Sequence, residues 1–385
     1  MRYRLTCLAP VLVGDGGRLS AIDYMVWKDH VNVLDQNRIF KLLAKGPRLD
    51  GYLSQLKKAT KLDFASWGGF AQNFADRRIP FEHPAYSGYW NRAMGESLNI
   101  PTFASNASGS PYLPGSAIKG ALRTGMLFSH LKEGMLHELA ARASGDRPSR
   151  RPAEPAEERL LGTGGTSRTR FFAAADSAPV DRSLFKVYLL RVSALVARGR
   201  EEFALGWKQS PRGTADGRKP EDSTPIFAEM ASPGAVFEGR WEEKEFFDQA
   251  DIRRALGWRE PVTRAQVFEA ANEYAAGLLS VHKNYADRAR LEPLSRTLVE
   301  LETLLADARN SGACLLSLGW GAGLAGKSAW LDTANPDYRQ VLKSVAVYNS
   351  ALSSGLPFPK TRHIVFLNDR PASLPGWVRL DVIAG

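Results

Sequence analysis

A glycine-rich stretch late in the chain, GWGAGLAGKSAW at residues 319–330, constrains the fold more than any other feature. Its residues Gly321 to Ser328 fit the pattern G-x-x-x-x-G-K-[ST], in which backbone N–H groups cradle the phosphates of a nucleotide. Such a loop has to follow a strand and open a helix whose N-terminus faces the phosphates. The sequence on either side therefore decides whether the chain has the fold of a nucleotide hydrolase.

The sequence after the loop argues against a nucleotide hydrolase. ACLLSLG supplies the preceding strand, but Pro336 would lie in the third turn of the required helix and would break it. The numbering ends at 385, which leaves little room for the remaining sheet and its magnesium ligands, although IVFLND with Asp369 imitates one such strand end. A glycine turn without any ligand is a second interpretation.

We favour a third interpretation, in which the loop lets a nucleic-acid backbone approach the peptide closely. Glycine has no Cβ to obstruct that approach, and its N–H group can point at a phosphate oxygen. The loop residues predicted to bind RNA in this way are Gly319, Gly321, Gly323, Gly326 and Lys327.

The charge balance agrees with a nucleic-acid partner. The chain has 51 Lys and Arg residues against 41 Asp and Glu residues, and its pI is about 9.6. Such a surplus is typical of proteins with a polyanionic partner, most often nucleic acid; a basic enzyme without that partner is the alternative. The two cysteines, Cys7 and Cys314, are too few for a disulfide framework or a cysteine-based zinc site.

The beginning of the chain does not resemble a signal peptide, because Met1 is followed by Arg-Tyr-Arg and an alternating segment. No apolar run approaches the ~20 residues that span a bilayer. We therefore expect a cytoplasmic protein without a membrane partner.

Strands and helices are mixed along the chain, but helices do not follow every strand, which favours the α+β class with a largely antiparallel sheet. Asp35 is predicted to cap a short helix in QNRIFKLLAKG, closed by Gly46. Strands are predicted in YRLTCLAPVLVG (3–14), AIDYMVW, VNVLD, FFAAADS, ACLLSLG, HIVFLND and GWVRLDVI, a β-hairpin in IFAEMASPGAVFEGRWEE turning at 232–234, and longer helices within 112–143, 261–280 and 292–309.

The segment LPGSAIKGALR (113–123) is a second candidate phosphate site. Its Pro-Gly turn leads to Ser116 as a helix cap, and Ser116, Lys119 and Arg123 fall on one side of the predicted helix. The helix N-terminus carries a partial positive charge and free N–H donors, which the two cations extend. The alternative is a solvated basic face.

The same segment carries a family resemblance. YLPGSAIKGALR is similar to the motif P-G-S-[SA]-[IL]-K-G-x-[IL]-R of the RAMP superfamily of CRISPR proteins. Further matches follow the family's order: LAPVLVGDGGRLSAIDY with the first strand and glycine turn, LLGTGGTSRTRFFAAADSAP with the Arg-x-x-[FV]-x-D segment, FAEMASPGAVFEGRW with the E-x-[IL]-x-x-G-[TA]-x-F segment, LSLGWGAGLAGKS with the late glycine loop, and PKTRHIVF…LPGWVRL with the ending.

The resemblance implies a ferredoxin-like (RRM-like) antiparallel core with helical insertions. One unit would cover 1–385, with a core from about 1–46, 105–135, 168–240 and 310–385, helical insertions at about 47–104 and 241–309, and flexible loops at about 144–166 and 208–222. The family motifs imply further RNA-binding residues: Gly14, Gly16, Gly17 and Arg18 in the glycine turn, Arg168 and Arg170 in the middle segment, and Lys360 and Arg362 in the ending.

The ending, together with GDGGRLSAIDY, is most similar to members that belong to type III-A (Csm) effector complexes. That likeness implies a subunit of an antiviral ribonucleoprotein that binds the 3′ region of the crRNA and contacts the repeated backbone (third) Csm subunit, with target RNA as a further contact. The late glycine loop departs from the family because it ends in Lys327-Ser328-Ala329-Trp330 and lacks a further Gly-x-Gly. The resemblance therefore extends to the role of that loop and not to its detailed geometry.

Catalysis is not expected. Some relatives are endonucleases with a histidine near the first helix, but here His30 lies in a predicted hairpin turn and Asp15 and Asp23 are read as turn and strand residues. No pair of carboxylates has a metal-binding spacing on one element. We predict a non-catalytic RNA-binding subunit without cofactor or metal; a RAMP ribonuclease is the alternative and a nucleotide hydrolase a distant third. The remaining histidines are scattered: His83, His130, His137, His282 and His363.

Overall fold

The computed structural model of the chain describes residues 1–44, 46, 48–58, 61–62, 73–144, 151–199, 202–209, 214–353 and 356–384. The strands in these residues are Arg2–Cys7 (β1), Arg18–Leu19 (β2), Tyr24–Trp27 (β3), His30–Leu34 (β4), Ala75–Pro80 (β5), Ile100–Pro101 (β6), Phe172–Ala174 (β7), Phe185–Ala197 (β8), Phe203–Trp207 (β9), Ile226–Ala231 (β10), Val236–Glu243 (β11), Cys314–Ser317 (β12), Thr361–Leu367 (β13), Arg370–Ser373 (β14) and Trp377–Ile383 (β15).

The α-helices of the same residues complete the inventory, with short 3₁₀ turns between several of them. They are Gln36–Leu43 (α1), Leu49–Lys58 (α2), Tyr86–Arg92 (α3), Gly115–His130 (α4), Glu133–Ser144 (α5), Glu154–Leu161 (α6), Ala250–Ala255 (α7), Arg264–Arg288 (α8), Glu292–Asn310 (α9), Pro336–Lys343 (α10) and Ala346–Ser353 (α11).

One five-stranded sheet has the order β12-β15-β1-β11-β7, and all its neighbours are antiparallel. In β1 the side chains of Tyr3, Leu5 and Cys7 are buried while Arg2 and Arg4 are exposed, as expected of a strand with one covered face. Ile118 of α4 and Val267 of α8 join the same apolar core. The two helices therefore cover one face of this sheet.

A second sheet has the order β10-β8-β13-β14, and β9 pairs with the later half of β8. β8 is buried on both faces along most of its length, so its sequence FKVYLLRVSALVA lacks the alternation of a half-exposed strand. The sequence analysis assigned no strand to residues 185–207, where the structure has β8 and β9. The antiparallel sheets and interspersed helices confirm the predicted α+β class.

The early part of the chain folds largely as predicted. β3 and β4 form the expected hairpin, and β5 extends it to three strands. The Asp35 carboxylate accepts a hydrogen bond from the Arg38 N–H (2.9 Å), so Asp35 caps α1. The prediction for Asp23 was wrong: it precedes β3, and its carboxylate accepts from the N–H and hydroxyl of Ser20, each at 2.6 Å.

The predicted hairpin over residues 226–243 is wrong. The chain does turn at residues 232–234, but β10 joins the second sheet and β11 joins the first. The backbone beside the turn pairs with the segment after β1 instead: Gly234 and Ala235 with Cys7, and Ala231 with Val11. That segment passes between the two strands, which therefore cannot pair with each other.

Three predicted boundaries also change. The helix within 112–143 is two helices, α4 and α5, because Leu131 is extended. The predicted loop 144–166 contains α6, whose Ala156 packs on Met135 and Leu139 of α5. Within the predicted helical insertions, β5 and β6 pair with other strands and β11 runs to residue 243. Residues 145–150 of one predicted loop and 210–213 of the other lie outside the described residues.

Candidate nucleic-acid interface

The two glycine loops predicted from distant parts of the sequence lie side by side. β1 and β12 both pair antiparallel with β15, so they run in the same direction and end at the same edge of the sheet. The Trp320 N–H donates to the Leu12 carbonyl oxygen (2.8 Å). A Cβ on Gly319 would lie 2.2 Å from that oxygen, and its φ is +75°. Only glycine fits at this contact.

The early loop presents its glycines to solvent. Gly14, Gly16, Gly17 and Arg18 are all exposed. The Asp15 carboxylate accepts from the Gly17 N–H (2.8 Å), which confirms that Asp15 is a turn residue. The Gly17 carbonyl in turn accepts from the Thr102 N–H (3.2 Å), so both sides of the turn are fixed while its outer backbone stays accessible.

The late loop does not have the geometry of a nucleotide site. After β12 the chain forms a 3₁₀ turn at Ala325–Lys327, and α10 begins only at Pro336, with Asn335 as its cap. The Ser328 hydroxyl donates to the Trp330 carbonyl (2.8 Å) and contacts the Tyr338 hydroxyl (2.6 Å), so it is engaged within the protein. As predicted, no helix opens at this loop to face a phosphate.

A cleft of about 590 Å³ opens beside the late loop. Its lining includes Gly321 and Gly323 of the loop together with Lys208, Lys360 and His363. Burial, and next the charge of Lys360, hold the pKa of Lys208 below its ordinary value. Two cations and the backbone of half-buried Gly321 and exposed Gly323 thus line one cleft, while Gly326 and the exposed Lys327 continue the loop.

Lys208 was missed by the sequence analysis. It directly follows β9, and its N–H donates to the Val192 carbonyl of β8 (2.9 Å). Because neither β8 nor β9 was predicted, Lys208 was assigned to a soft loop with no fixed position. The sequence contains no local signal that would have placed it beside Lys360.

Arg362 was predicted to bind RNA, but its guanidinium is used inside the protein. The residue is 7% exposed. Its Nε donates to Nδ1 of His282 (3.0 Å) and its Nη1 to the carbonyls of Pro359 (2.7 Å) and Thr361 (2.9 Å), and the group lies over the Tyr285 ring. Burial lowers the pKa of Arg362 to about 10. Arg362 therefore holds the start of β13 in place.

The helix N-terminus in the second candidate region is already occupied. α4 begins at Gly115, whose N–H donates to the Asp176 carboxylate (2.9 Å), and Pro114 precedes it without a side-chain cap. Ser116 lies exposed in the first turn and does not cap the helix as predicted. A Cβ on Gly115 would lie 2.1 Å from the Ala174 carbonyl, so glycine is required where α4 meets β7.

Lys119 and Arg123 do not act together. Arg123 forms an ion pair with Glu157 of α6. This partner could not be predicted from the sequence because the segment was assigned to a flexible loop. Lys119 instead lies over the Phe172 ring (5.8 Å). Burial, followed by the charges of Lys244 and Arg170, holds the pKa of Lys119 below its ordinary value.

A cationic cluster of Lys119, Arg170 and Lys244 therefore replaces the predicted pair. The Arg170 guanidinium donates to the Gly165 carbonyl and lies 5.7 Å from the Phe247 ring, and half-buried Arg168 stands in the same 3₁₀ turn. This cluster adjoins β7, whereas the glycine loops follow the ends of β1 and β12. β7 and β12 are the two opposite edge strands of this sheet, so the cluster and the late glycine loop lie at different parts of it.

The histidines do not form a shared site. His282 is buried, and burial followed by the charge of Arg362 holds its pKa well below the ordinary value. His363 packs on the Trp320 ring (5.3 Å).

His30 was predicted in a hairpin turn but begins β4, where it is half-buried with its Nδ1 2.7 Å from the carboxylate of Asp29 in the adjoining turn. His137 lies farther from its carboxylate, with Nδ1 3.4 Å from Asp337. Among the residues that the structure covers, no three His, Cys, Asp or Glu side chains are grouped to hold a metal ion.

None of the helices that the structure describes has the length and apolar character needed to cross a membrane.

Comparison with known proteins places these features in a family context. The sequence model of the RAMP superfamily matches residues 4–323. A curated relative from Methanocaldococcus jannaschii, "CRISPR system Cms protein Csm5", is 20% identical over 421 residues, covering all of this chain and 89% of the relative.

Two solved structures are similar in fold. One is a chain from the cryo-EM structure of a Csm–crRNA–target RNA ternary complex of a type III-A CRISPR-Cas system, with a TM-score of 0.67, 21% identity, and coverage of 99% of this chain and 100% of that one. The other is the crystal structure of T. onnurineus Csm5, with a TM-score of 0.61, 19% identity, and coverage of 97% and 99%.

Proposed function

The chain belongs to the RAMP superfamily, and we propose that it serves as the fifth (Csm5-type) subunit of a type III-A CRISPR effector complex. In this role it binds the 3′ region of the crRNA, contacts the backbone Csm subunit and ends the filament that this subunit forms. It thereby supports crRNA maturation and antiviral defence in the cytoplasm. The support is the relative named Csm5 and the likeness over nearly the whole chain to a Csm5 crystal structure and to a chain of a Csm–crRNA–target RNA complex.

The observation that carries the RNA-binding part is the contact between the two glycine loops beside a basic cleft. The Trp320 N–H and Gly319 join the late loop to Leu12, next to the exposed turn at residues 14–17. Exposed glycine backbone offers N–H groups to phosphate oxygens, and cations add an attraction that does not depend on base sequence. This combination suits the sugar-phosphate backbone of single-stranded RNA.

The cluster of Lys119, Arg170 and Lys244 is a second region for RNA or for an RNA-bound neighbour. Burial is the main cause of the lowered pKa of Lys119, and the charges of Lys244 and Arg170 lower it further. A phosphate bound between the three cations would relieve their mutual repulsion, because an anion favours the charged form of a nearby amine. Target RNA is a candidate for this region because the region is separate from the glycine-loop cleft.

Ending a filament requires that the far face of this subunit differ from its docking face, since a head-to-tail interface otherwise propagates. The segments without family motifs, 50–100 and 140–165, are the proposed source of that difference. Tyr86 and Trp90 of the first segment are buried, so other side chains form its surface, among them Met94, which is 82% exposed. Tyr86 and Trp90 are therefore assigned to the core and not to the capping face, whereas Trp67 lies outside the described residues.

We propose that the chain does not cleave RNA. The specific observation that favours the alternative, a RAMP ribonuclease, is the pairing of His30 with Asp29. A carboxylate at 2.7 Å can orient an imidazole for acid–base chemistry, and the His30 side chain is 28% exposed. Incubating the protein with labelled repeat RNA, with and without Mg²⁺, distinguishes the two. Cleavage that is lost in His30→Ala would support the ribonuclease.

Reconstitution of a Csm complex with and without this chain tests the proposed role. With the chain present, we expect filaments of uniform length and guides with one defined 3′ end. Without it, filament length should vary and the guide 3′ ends should shift. Many copies of this chain spaced along one guide, seen by native mass spectrometry, would contradict the capping role.

A further inference from the structure

The cleft beside the late glycine loop continues into two neighbouring clefts. The second, of about 700 Å³, lies across the segment Phe358–Pro359, which borders both clefts together with Arg362. The third, of about 550 Å³, adjoins the second at Phe203 and Arg288. Each cleft therefore shares lining residues with the next, and the three form a continuous series.

Cations border this series of clefts throughout. Lys208 and Lys360 line the first cleft, and none of the described residues in its wall is a carboxylate. Among the described residues, the carboxylates that line the other two clefts are Asp332, Glu202 and Asp287, the last of which already accepts from the Ser295 hydroxyl (3.1 Å). The arginines that line the second and third clefts are Arg288, Arg339, Arg198 and Arg290, besides the internally bonded Arg362.

The four arginines other than Arg362 have guanidinium N–H groups that are not used in ion pairs with described residues. Within the described part of the chain, no carboxylate lies within ion-pair distance of Arg198, Arg288, Arg290 or Arg339. Arg198, Arg288 and Arg290 are exposed. The Arg288 guanidinium lies over the Phe203 ring (5.7 Å), an arrangement that orients the planar group while leaving its N–H edge open. Unpaired guanidinium groups are well suited to phosphate oxygens.

We infer that the second and third clefts form a distal track for single-stranded RNA that leaves the glycine-loop cleft. The inference rests on the proposed function, because it extends the path of an RNA already bound at the glycine loops. Several guanidinium groups along the clefts suit successive phosphates of a strand, and the half-buried Phe203 and Phe358 add apolar surface to the same walls. These contacts do not involve the hydrogen-bonding edges of the bases. Affinity should therefore depend on the length and charge of the RNA and not on its sequence.

Helix α8 borders all three clefts, the second of them from Ser280 onward. His282 borders the first cleft, and Arg288 borders the other two. The two residues are both in α8, ~9 Å apart along its axis at 1.5 Å per residue. A short RNA can therefore fill the first cleft without reaching Arg288, whereas a longer one has to pass it. Binding should depend on RNA length in a way that separates the two parts of the path.

A length series of labelled single-stranded RNA, from about 4 to about 16 nucleotides, tests the track. With the full-length wild-type protein at low salt, affinity should rise with length and then level off. Arg288→Ala/Arg339→Ala should bind the shortest RNA like wild type, level off at a shorter length, and bind the longest RNA about tenfold more weakly. Lys208→Ala/Lys360→Ala should weaken binding at every length.

Arg254→Ala/Arg296→Ala is the matched control, because it also removes two partly or fully exposed arginines that line none of the three clefts. Because Arg288 packs on the Phe203 ring, its removal could destabilise the fold. Two controls test for this: the variant Arg288→Lys/Arg339→Lys, which keeps the positive charges, and thermal unfolding of every variant. The lysine variant should lie between wild type and the alanine variant for long RNA.

The outcomes separate the track from the proposed function. If the cleft lysine variant loses affinity while Arg288→Ala/Arg339→Ala follows the wild-type length curve, the track is wrong and the glycine-loop site stands. If neither variant loses affinity, the proposed RNA-binding surface is wrong. If polyglutamate of matched charge displaces the long RNA from wild type as readily as unlabelled RNA does, the arginines serve an acidic protein segment and the track assignment is overturned.

Discussion

Arg77 and Glu229 form a two-armed ion pair, with Nη1–Oε1 and Nη2–Oε2 distances of 2.7 and 2.9 Å. Arg77 lies on β5 of the three-stranded sheet and Glu229 on β10 of the second large sheet, where its side chain is only 3% exposed. The pair ties a segment without family motifs to the core segment FAEMASPGAVF, which resembles a family motif. Burial raises the pKa of Glu229, and Arg77 opposes that shift.

Replacing Arg77 by alanine should destabilise the protein by about 3–5 kcal/mol at pH 7, because a buried carboxylate loses its partner. The loss should be smaller near pH 4.5. A raised folded-state pKa means that the folded protein binds the proton more tightly than the unfolded chain, so this group's contribution falls as pH rises towards its folded pKa. Without Arg77 the folded-state pKa of Glu229 rises further, so the free energy of unfolding falls by more between pH 4.5 and pH 7. Urea unfolding at several pH values measures it.

Arg78→Ala is the control for this prediction, because Arg78 is the exposed neighbour on the same strand. It should change the free energy of unfolding by less than about 1 kcal/mol at every pH. A pH-independent loss in Arg77→Ala would contradict the assignment of Glu229 as its charged partner.

Gly319→Ala should disrupt the contact between the glycine loops. Its Cβ would meet the Leu12 carbonyl at 2.2 Å, so either the loop or the segment after β1 has to move. Gly323→Ala is a matched control with a similar φ of +70° but no atom within 4 Å of the new Cβ. The control should lose only about 1–2 kcal/mol from the unfavourable φ. Thermal unfolding and RNA affinity should both fall more in Gly319→Ala.

Lys119→Ala and Arg123→Ala should differ in their effect on RNA binding. Lys119 faces other cations, whereas Arg123 is neutralised by Glu157. If the Lys119 cluster binds a phosphate, Lys119→Ala should reduce the slope of log affinity against log salt by about 0.7, and equally for unrelated RNA sequences. Arg123→Ala should leave the slope unchanged. Equal slopes in both variants and wild type would remove this cluster from the interface.

Leu161→Ala should destabilise the protein by about 2–5 kcal/mol, because this residue of α6 is 3% exposed and belongs to the main core. Glu158→Ala, an exposed residue of the same helix, should have little effect. A loss below about 1 kcal/mol in Leu161→Ala would mean that α6 is not held against the core. Urea unfolding of both variants decides between these results.

Features set by local sequence were predictable. Asp35 caps α1, as expected from its position before an amphipathic segment. The helix predicted over 261–280 corresponds to α8, which begins at Arg264 and runs on to Arg288, and the segment 292–309 lies within α9. These elements depend on hydrogen bonds and side-chain spacing within a few residues. The glycine loops were also predictable as loops, because their glycines adopt backbone conformations that other residues avoid.

Features set by distant contacts were not predictable. β10 and β11 look like a hairpin in sequence, but the chain after β1 takes the hydrogen bonds beside their turn. Lys208 lies in the candidate site because β9, which it follows, pairs with β8. Arg362 matched a family motif, yet burial against His282 uses its donors internally. In each case the deciding partner is far away in sequence.

The measurement that tests the central claim most directly is the salt-dependent affinity of the purified protein for single-stranded RNA, with and without the cleft lysines. Lys208→Ala/Lys360→Ala should bind unrelated RNA sequences about equally and at least tenfold more weakly than wild type, with a salt slope reduced by about 1.4 for two lost phosphate contacts. Lys57→Ala/Lys58→Ala, which removes two exposed lysines of α2, should match wild type. A folded cleft variant with wild-type affinity and slope would contradict the assignment of this surface to RNA.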